Sequence, residues 1–246
     1  MAARQAACLT PNRKPSEVVT PLRAFFLVGD SHAGHLVGGL EKALQGSMAF
    51  SYTARGCCGY YPDSLLATEC TQDDYSVALA FRDHVTQMLD ANVQAGDVVA
   101  FNTVSNHHLR PEAITFYRSW LIPMLQSRGA KLLLFGDTFS LEQSPNRCYG
   151  SSAWRCERSY SAAYEYEGLS ARRANAAALA AELPSTVYFL SLGYLFCTSA
   201  TASGVCGAQV PGTTVVGYHD TEHLKLVGSV YMWPHLCAAF RQLSFF

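Results

Sequence analysis

With 246 residues, 49% of them hydrophobic, and a mean hydropathy of +0.06, the chain has enough apolar material for one substantial core. A formal charge of −1, a pI near 6.7 and 18 scattered Lys and Arg residues exclude the basic face that nucleic acid requires. No stretch approaches the roughly 18–20 consecutive apolar residues needed to cross a bilayer, so no membrane span is expected in this chain.

Residues 1–22 mix Arg4, Arg13, Lys14 and Glu17 with prolines and lack the apolar core of a signal peptide, so they are read as a flexible N-terminal arm. Residues 23–246 are read as a single domain, since no repeat, low-complexity tract or linker divides them. Apolar runs at 24–28, 98–101, 131–135 and 187–190 have the continuity of strands covered on both faces, and 47–53 is a weaker strand. Between them, 35–44, 75–91, 111–128, 171–183 and 224–243 carry helical spacing, with Pro111 suited to a first turn and Gly129 to a helix end. The alternation predicts an α/β fold: a three-layer α/β/α sandwich on a doubly wound, flavodoxin-like parallel sheet of about five strands. The irregular stretch 140–168 reads as a surface insertion, and its Trp154, Tyr160, Tyr164 and Tyr166 could stack on a sugar ring or simply pack.

Nine cysteines are many for a cytosolic enzyme. Seven of them are near neighbours in loop-like sequence: Cys57, Cys58 and Cys70, then Cys148 and Cys156, then Cys197 and Cys206. Local pairs of this kind predict disulfides and an extracytoplasmic location, secreted, periplasmic or in the secretory-pathway lumen. Zinc is the alternative, but the pairs lack the two-residue spacing of ribbon and finger sites. Either Cys57 or Cys58 could pair with Cys70, and Cys8 and Cys237 have no evident partner. With no visible signal peptide, an excised domain of a larger exported protein reconciles these readings.

Chemistry is concentrated at the two ends. Gly29-Asp30-Ser31-His32 follows the first apolar run, so Ser31 falls at the carboxyl edge of a parallel sheet, where open α/β folds bind ligands. A serine hydroxyl is a weak nucleophile until a base takes its proton, and Asp220-Thr221-Glu222-His223 supplies a histidine with a carboxylate three residues away. Oxyanion donors would be the Ser31 N–H, the Gly56 N–H after the second strand, with Gly59 as substitute, and an amide after the third strand, Asn106 in preference to Asn102. His32, His107 and His108 read as structural or cleft-lining, and Asp137 as a strand-end residue.

These blocks and their order resemble the SGNH, or GDSL-type, hydrolase superfamily. More narrowly, Gly29-Asp30-Ser31-His32-Ala33, the flanking cysteine pairs and Asp220-x-x-His223-Leu224 followed by Gly228-Ser229 are similar to the SGNH domains associated with membrane acyltransferase-3 proteins. The resemblance implies a serine esterase or O-acyltransferase that handles acyl, usually acetyl, esters of carbohydrate through an acyl-serine intermediate. It implies Ser31 as nucleophile, His223 as base and then acid, Asp220 as its orienting carboxylate, and Ser31, Gly56 and Asn106 as the oxyanion hole. It implies no metal and no cofactor, an acylated carbohydrate or other small ester as substrate, and a membrane acyltransferase as partner or fusion.

Two other classes compete. A two-metal phosphoesterase would use Asp30, His32, Asn106, His107, Asp137, His219 and His223, but the Asn-His block precedes the Gly-Asp block, the reverse of that family's order. A non-catalytic carbohydrate-binding domain of the same fold would not need the Ser31, Asp220 and His223 set.

Overall fold

The computed structural model describes residues 23–56, 59–150, 156–159, 169–198 and 204–245. Five strands, β1 (Ala24–Gly29), β2 (Ala49–Ala54), β3 (Val98–Asn102), β4 (Lys131–Gly136) and β6 (Val187–Ser191), form a parallel sheet in the order β2-β1-β3-β4-β6. A second, two-residue pairing joins β5 (Arg158–Ser159) to β7 (Val205–Cys206).

The pleat explains why the central strands read as unbroken apolar runs. Alternate residues face opposite layers. Phe25, Leu27, Val98, Ala100, Leu133 and Phe135 enter one core, whereas Phe26, Val28, Val99, Phe101, Leu132 and Leu134 enter the other. The first core is covered by α1 (Ser31–Gly34), α2 (Val37–Leu44), and α9 (Leu226–Tyr231) with α10 (Trp233–Gln242). The second lies under α3 (Asp63–Glu69), α4 (Gln72–Asn92), α5 (Pro111–Phe116), α6 (Ile122–Arg128) and α8 (Leu169–Glu182). The short α7 (Pro145–Gly150) lies in the expected insertion. Each fully buried Leu or Phe contributes about 1.5–3 kcal/mol, so the two-sided pattern fixes the register as well as the layers.

Three helical expectations are corrected by local chemistry. The helix expected over 111–128 is interrupted by a π-helical stretch, Tyr117–Leu121, in which the Ile122 N–H reaches back to the Tyr117 carbonyl. Pro123 has no N–H for the carbonyl four residues earlier, and the wider turn absorbs the loss. The helix expected over 224–243 begins at Leu226 and is broken at Met232, where Trp233-Pro234 restarts it as α10. The helix expected over 35–44 is preceded by the separate turn α1, which opens at Ser31. Gly129 ends α6 in the left-handed region, φ 69°, as its position predicts.

The disulfides Cys148–Cys156 and Cys197–Cys206 form as the cysteine pairs suggest. Cys70 is also disulfide-bonded, and so is Cys237, for which the sequence offered no evident partner. Cys8, Cys57, Cys58, Trp154, Tyr160, Tyr164, Tyr166 and the arm 1–22 lie outside the described residues.

The topology sets the place of chemistry. β1 connects through α2 to β2 on one side, and β3 then lies on β1's other side, so the strand order reverses between β1 and β3. Crevices at such switch points, beyond the carboxyl ends of the strands, are where doubly wound sheets hold ligands.

Candidate active site

Gly29 ends β1 where the chain passes so close to β3 that a Cβ would stand 1.9 Å from the Asn102 carbonyl oxygen, so only glycine fits. The chain then turns into α1. The Asp30 carboxylate caps that turn, accepting the His32 N–H at 2.9 Å, and also accepts the Val104 N–H at 3.0 Å. One buried side chain therefore ties the segment after β1 to the segment after β3. Burial pushes the Asp30 carboxyl above its usual range.

Ser31 opens α1. Its hydroxyl lies 3.0 Å from His223 Nε2. His223 Nδ1 lies 2.8 Å from Asp220 Oδ2 and 3.0 Å from Oδ1. With Nδ1–H donating to the carboxylate, the Nε2 lone pair is left to accept from the Ser31 hydroxyl, the tautomer a general base requires. The loop carrying this pair is set by its own hydrogen bonds. Asp220 Oδ1 accepts the N–H groups of Glu222 at 2.9 Å and His223 at 2.8 Å. The His219 N–H returns to the His223 carbonyl, and the Thr221 carbonyl accepts the Leu141 N–H. Partial burial opposes ionisation of Asp220, but the two amides and the His223 ring outweigh it and hold the carboxyl below its ordinary value.

A cleft of about 330 Å³ opens here, lined by Asp30, Ser31, His32, Gly56, Tyr61, Glu69, Val104, His107, Glu222 and His223. Gly56 is thus on the cleft wall with Ser31, and a Cβ there would meet nothing within 4 Å. Gly59 is buried, and a Cβ there would lie 3.2 Å from Thr103 Cγ2. Asn106 is fully buried in the turn Val104–Leu109; Val104 and His107 of that turn line the cleft, and Asn106 lies behind them without lining it. Ser105 and Asn106 both hold left-handed backbone, φ 50° and 55°, a strained pair for residues with a Cβ. The Arg172 guanidinium donates to the Ser105 carbonyl, supporting the turn from α8. Asn106 Oδ1 accepts the Asp137 N–H at 2.5 Å, while its Nδ2 makes no hydrogen bond among the described residues. Asn102 is buried on β3, its amide donating to the His32 carbonyl at 2.9 Å.

Sequence reasoning undervalued the residue after β4. Asp137 is a buried hub: Oδ2 lies 2.5 Å from His32 Nδ1, Oδ1 accepts the Thr138 N–H, and the carbonyl accepts from the buried Arg173 guanidinium at 2.6 Å. Its only signal was an acidic residue at the end of an apolar run, where burial obliges a carboxylate to find partners. Burial works against both charges of this pair, yet their mutual attraction prevails: Asp137 stays below its ordinary value and His32 is raised to about 9. His35 is the other omission. Its ring is 4.8 Å from that of His223, and burial followed by repulsion from His32 lowers it to about 3. His32, read as structural or cleft-lining, is buried and lines the cleft as well. His108 is structural, its Nδ1 2.9 Å from the Thr103 hydroxyl and its Nε2 2.7 Å from the Phe135 carbonyl, and burial lowers it to about 4.

The residues that a two-metal site would need are engaged with one another. His32 and Asp137 are in direct contact, Asn106 Oδ1 is taken by a backbone N–H, and His107 Nδ1 faces Glu69 at 3.4 Å. Among the described residues no group of three or more His, Cys, Asp or Glu side chains could hold a metal ion.

The sequence matches the family model described as SGNH domain (fused to AT3 domains) over residues 3–236. Among solved structures, the periplasmic domain of the lipopolysaccharide acetyltransferase of Salmonella ser. Paratyphi A is similar in fold, with 14% identity, 89% of this chain and 84% of that one covered, and a TM-score of 0.63. Looser matches are a candidate SGNH hydrolase from Slackia heliotrinireducens, 18% identical with 89% of this chain and 98% of that one covered at a TM-score of 0.49, and a candidate lipase from Chitinophaga pinensis, 10% identical with 91% and 99% covered at 0.46. A search of curated proteins finds no match. At 14% identity the Salmonella structure speaks to fold alone, and the family model, which spans nearly the whole chain, speaks to kinship: the chain belongs to the family of SGNH domains that occur fused to AT3 domains, enzymes of the ester-hydrolase and acyltransferase type.

Proposed function

We propose that the chain removes or transfers short acyl groups, acetyl above all, on carbohydrate hydroxyls, through an acyl-Ser31 intermediate. The observation that carries this reading is the Ser31–His223–Asp220 chain of hydrogen bonds, 3.0 Å and 2.8 Å long. His223 takes the Ser31 proton as the hydroxyl attacks the ester carbonyl, and Asp220 stabilises the imidazolium that forms. The oxyanion is met by the Ser31 N–H, the Gly56 N–H and the Asn106 amide. His223 then gives its proton to the leaving alkoxide, which frees the sugar hydroxyl and leaves the acyl group on Ser31. Water or a second sugar hydroxyl, deprotonated by His223, completes the cycle.

The cleft supports a hydroxyl-rich substrate, since Glu69, Glu222 and His107 place hydrogen-bonding side chains on its walls. The likeness of fold to the periplasmic domain of a lipopolysaccharide acetyltransferase supports the same class. That likeness and the two described disulfides support an extracytoplasmic location. The family description supports a membrane acyltransferase domain as partner or fusion, and no helix among the described residues is long and apolar enough to cross a membrane.

The test is release of p-nitrophenol from a short-chain ester, and of acetate from an acetylated polysaccharide, by the wild type and Ser31→Ala, each with and without EDTA. Activity that resists EDTA and vanishes in Ser31→Ala supports the reading. Activity that survives Ser31→Ala, or that EDTA abolishes, overturns it.

A further inference from the structure

Beneath the Ser31–His223 pair lies a second histidine–carboxylate pair with the opposite setting. His223 and Asp220 are open to solvent, their side chains 37% and 43% exposed, whereas those of His32 and Asp137 are 3% exposed. His32 is the residue directly after Ser31, and its ring centroid is 5.3 Å from that of His223. Both of its ring nitrogens face carboxylates. Nδ1 is 2.5 Å from Asp137 Oδ2, and Nε2, buried and without a hydrogen bond among the described residues, points to Glu222 Oε2 at 4.0 Å. A neutral imidazole has one N–H and one lone pair, so either neutral tautomer would turn a lone pair toward an anion. Only the imidazolium matches both sides.

We infer that His32 is a positioning residue that works as a buried imidazolium, and that the active enzyme is the form in which the His32–Asp137 pair is ionised. The inference rests on the proposed serine mechanism and adds to it the requirement for a second charged histidine. Its action is indirect. Asp137 holds Asn106 through its own N–H, and Asn102 spans the His32 carbonyl and, at 3.4 Å, Asp137 Oδ1. The nucleophile turn and the candidate oxyanion amide are therefore braced against one residue, the first through the Asp137 carboxylate and Asn102, the second through the Asp137 backbone N–H, and the burial of that carboxylate is tolerable only while His32 offsets its charge. When His32 loses its proton, the buried Asp137 carboxylate keeps the Thr138 N–H and the Asn102 amide but loses its counter-charge, and the residue that anchors both arms of the brace is no longer held by an ion pair.

The groups facing His32 from neighbouring elements are Asp30 at the end of β1, Asp137 after β4, Glu222 and His223 in the loop before α9, His35 after α1 and His108 after β3. Burial opposes its charge and the three carboxylates favour it, Asp137 the most strongly. Asp137→Asn keeps the shape and the backbone N–H that holds Asn106 but removes that charge.

Two measurements test the inference. In histidine-ring ¹H–¹⁵N spectra of the wild type at pH 7, His32 should show both nitrogens protonated and should titrate near 9. In kcat/KM against pH, corrected for spontaneous ester hydrolysis, the wild type should lose activity as pH passes that value. In Asp137→Asn this alkaline limb should move down by at least about one pH unit with the acid limb in place. A purely structural Asp137 would lower the rate without moving the limb. A singly protonated His32 at pH 7, a wild-type profile flat to pH 10, or a folded Asp137→Asn with an unmoved limb overturns the inference. The wild-type spectra decide even if the variant fails to fold. Activity in Ser31→Ala would sink the serine mechanism instead, leaving the His32 spectrum to be read by itself.

Discussion

Asn106 offers the sharpest test of the proposed oxyanion hole, because its side chain and its backbone do separable jobs. Its Oδ1 accepts the buried Asp137 N–H, its Nδ2 has no hydrogen bond among the described residues, and its backbone sits at φ 55°, ψ 38°. Asn106→Gly removes the amide but adopts left-handed backbone without penalty, whereas Asn106→Ala removes the amide and keeps the Cβ strain of about 1–2 kcal/mol. Both variants orphan the Asp137 N–H, which costs about 1–3 kcal/mol of stability. Loss of one oxyanion donor lowers kcat by about 10²–10³-fold, or about 2.7–4 kcal/mol in the barrier. The expectation is therefore that both variants lose kcat to a similar degree with KM little changed, while Asn106→Gly is the more stable of the two. Steady-state kinetics on a short-chain ester and thermal melts of the same preparations read the two effects separately. If Asn106→Gly retains wild-type kcat, the residue serves the turn and the amide is no oxyanion donor.

Asp220→Asn should lower kcat by about 10³–10⁴-fold with the fold intact, because the amide oxygen can still accept the Glu222 and His223 N–H groups while its NH₂ cannot accept from His223 Nδ1; a loss of less than tenfold on the ester assay would refute the orienting role. Stability should peak near neutrality. The raised value of His32, about 9 against an ordinary 6.5, contributes about 3 kcal/mol that is fully present below 6.5 and lost as pH rises through 9. The depressed His35 and His108 contribute stability present above 6.5 and lost as pH falls toward 3 and 4, respectively. Urea unfolding at pH 5, 7 and 9.5 checks both slopes, and equal stability at 7 and 9.5 contradicts the first.

What could be read in the sequence follows from burial. β1, β3 and β4 carry apolar side chains to both layers and so announce themselves as continuous runs, while β2 is an edge strand with partly exposed residues and gives a weaker signal. The Gly29-Asp30-Ser31 turn is visible because the close approach of β1 to β3 demands glycine and the cap of α1 demands a short acid. The Asp220–His223 pair is visible because its contacts are local, three residues apart. The brace around Asp137 is not legible in that way. Its partners come from residues 30–35, 102–108 and 173, each an ordinary residue in its own neighbourhood, and only the sheet order brings them to one point. The π-helical interruption before Pro123 could have been expected from the proline alone.

The difference in exposure between the two histidine pairs bears on what an acyl-Ser31 would do next. The outer edge of the proposed triad is wet: Asp220 and His223 are more than a third exposed, and the cleft beside Ser31 and His223 is open rather than closed over. An acyl group on Ser31 would therefore be within reach of water whenever no acceptor is bound, so in the proposed mechanism hydrolysis is the default outcome of the isolated domain. Transfer does not require a different set of catalytic residues. A sugar hydroxyl held in line with the acyl carbonyl reacts at an effective molarity of up to ~10⁵–10⁸ M, enough to outrun freely diffusing water without excluding it. On that arithmetic the choice between esterase and transferase is made by whatever fills the walls formed by Glu69, His107 and Glu222, and the dry pair beneath keeps the geometry constant for either outcome.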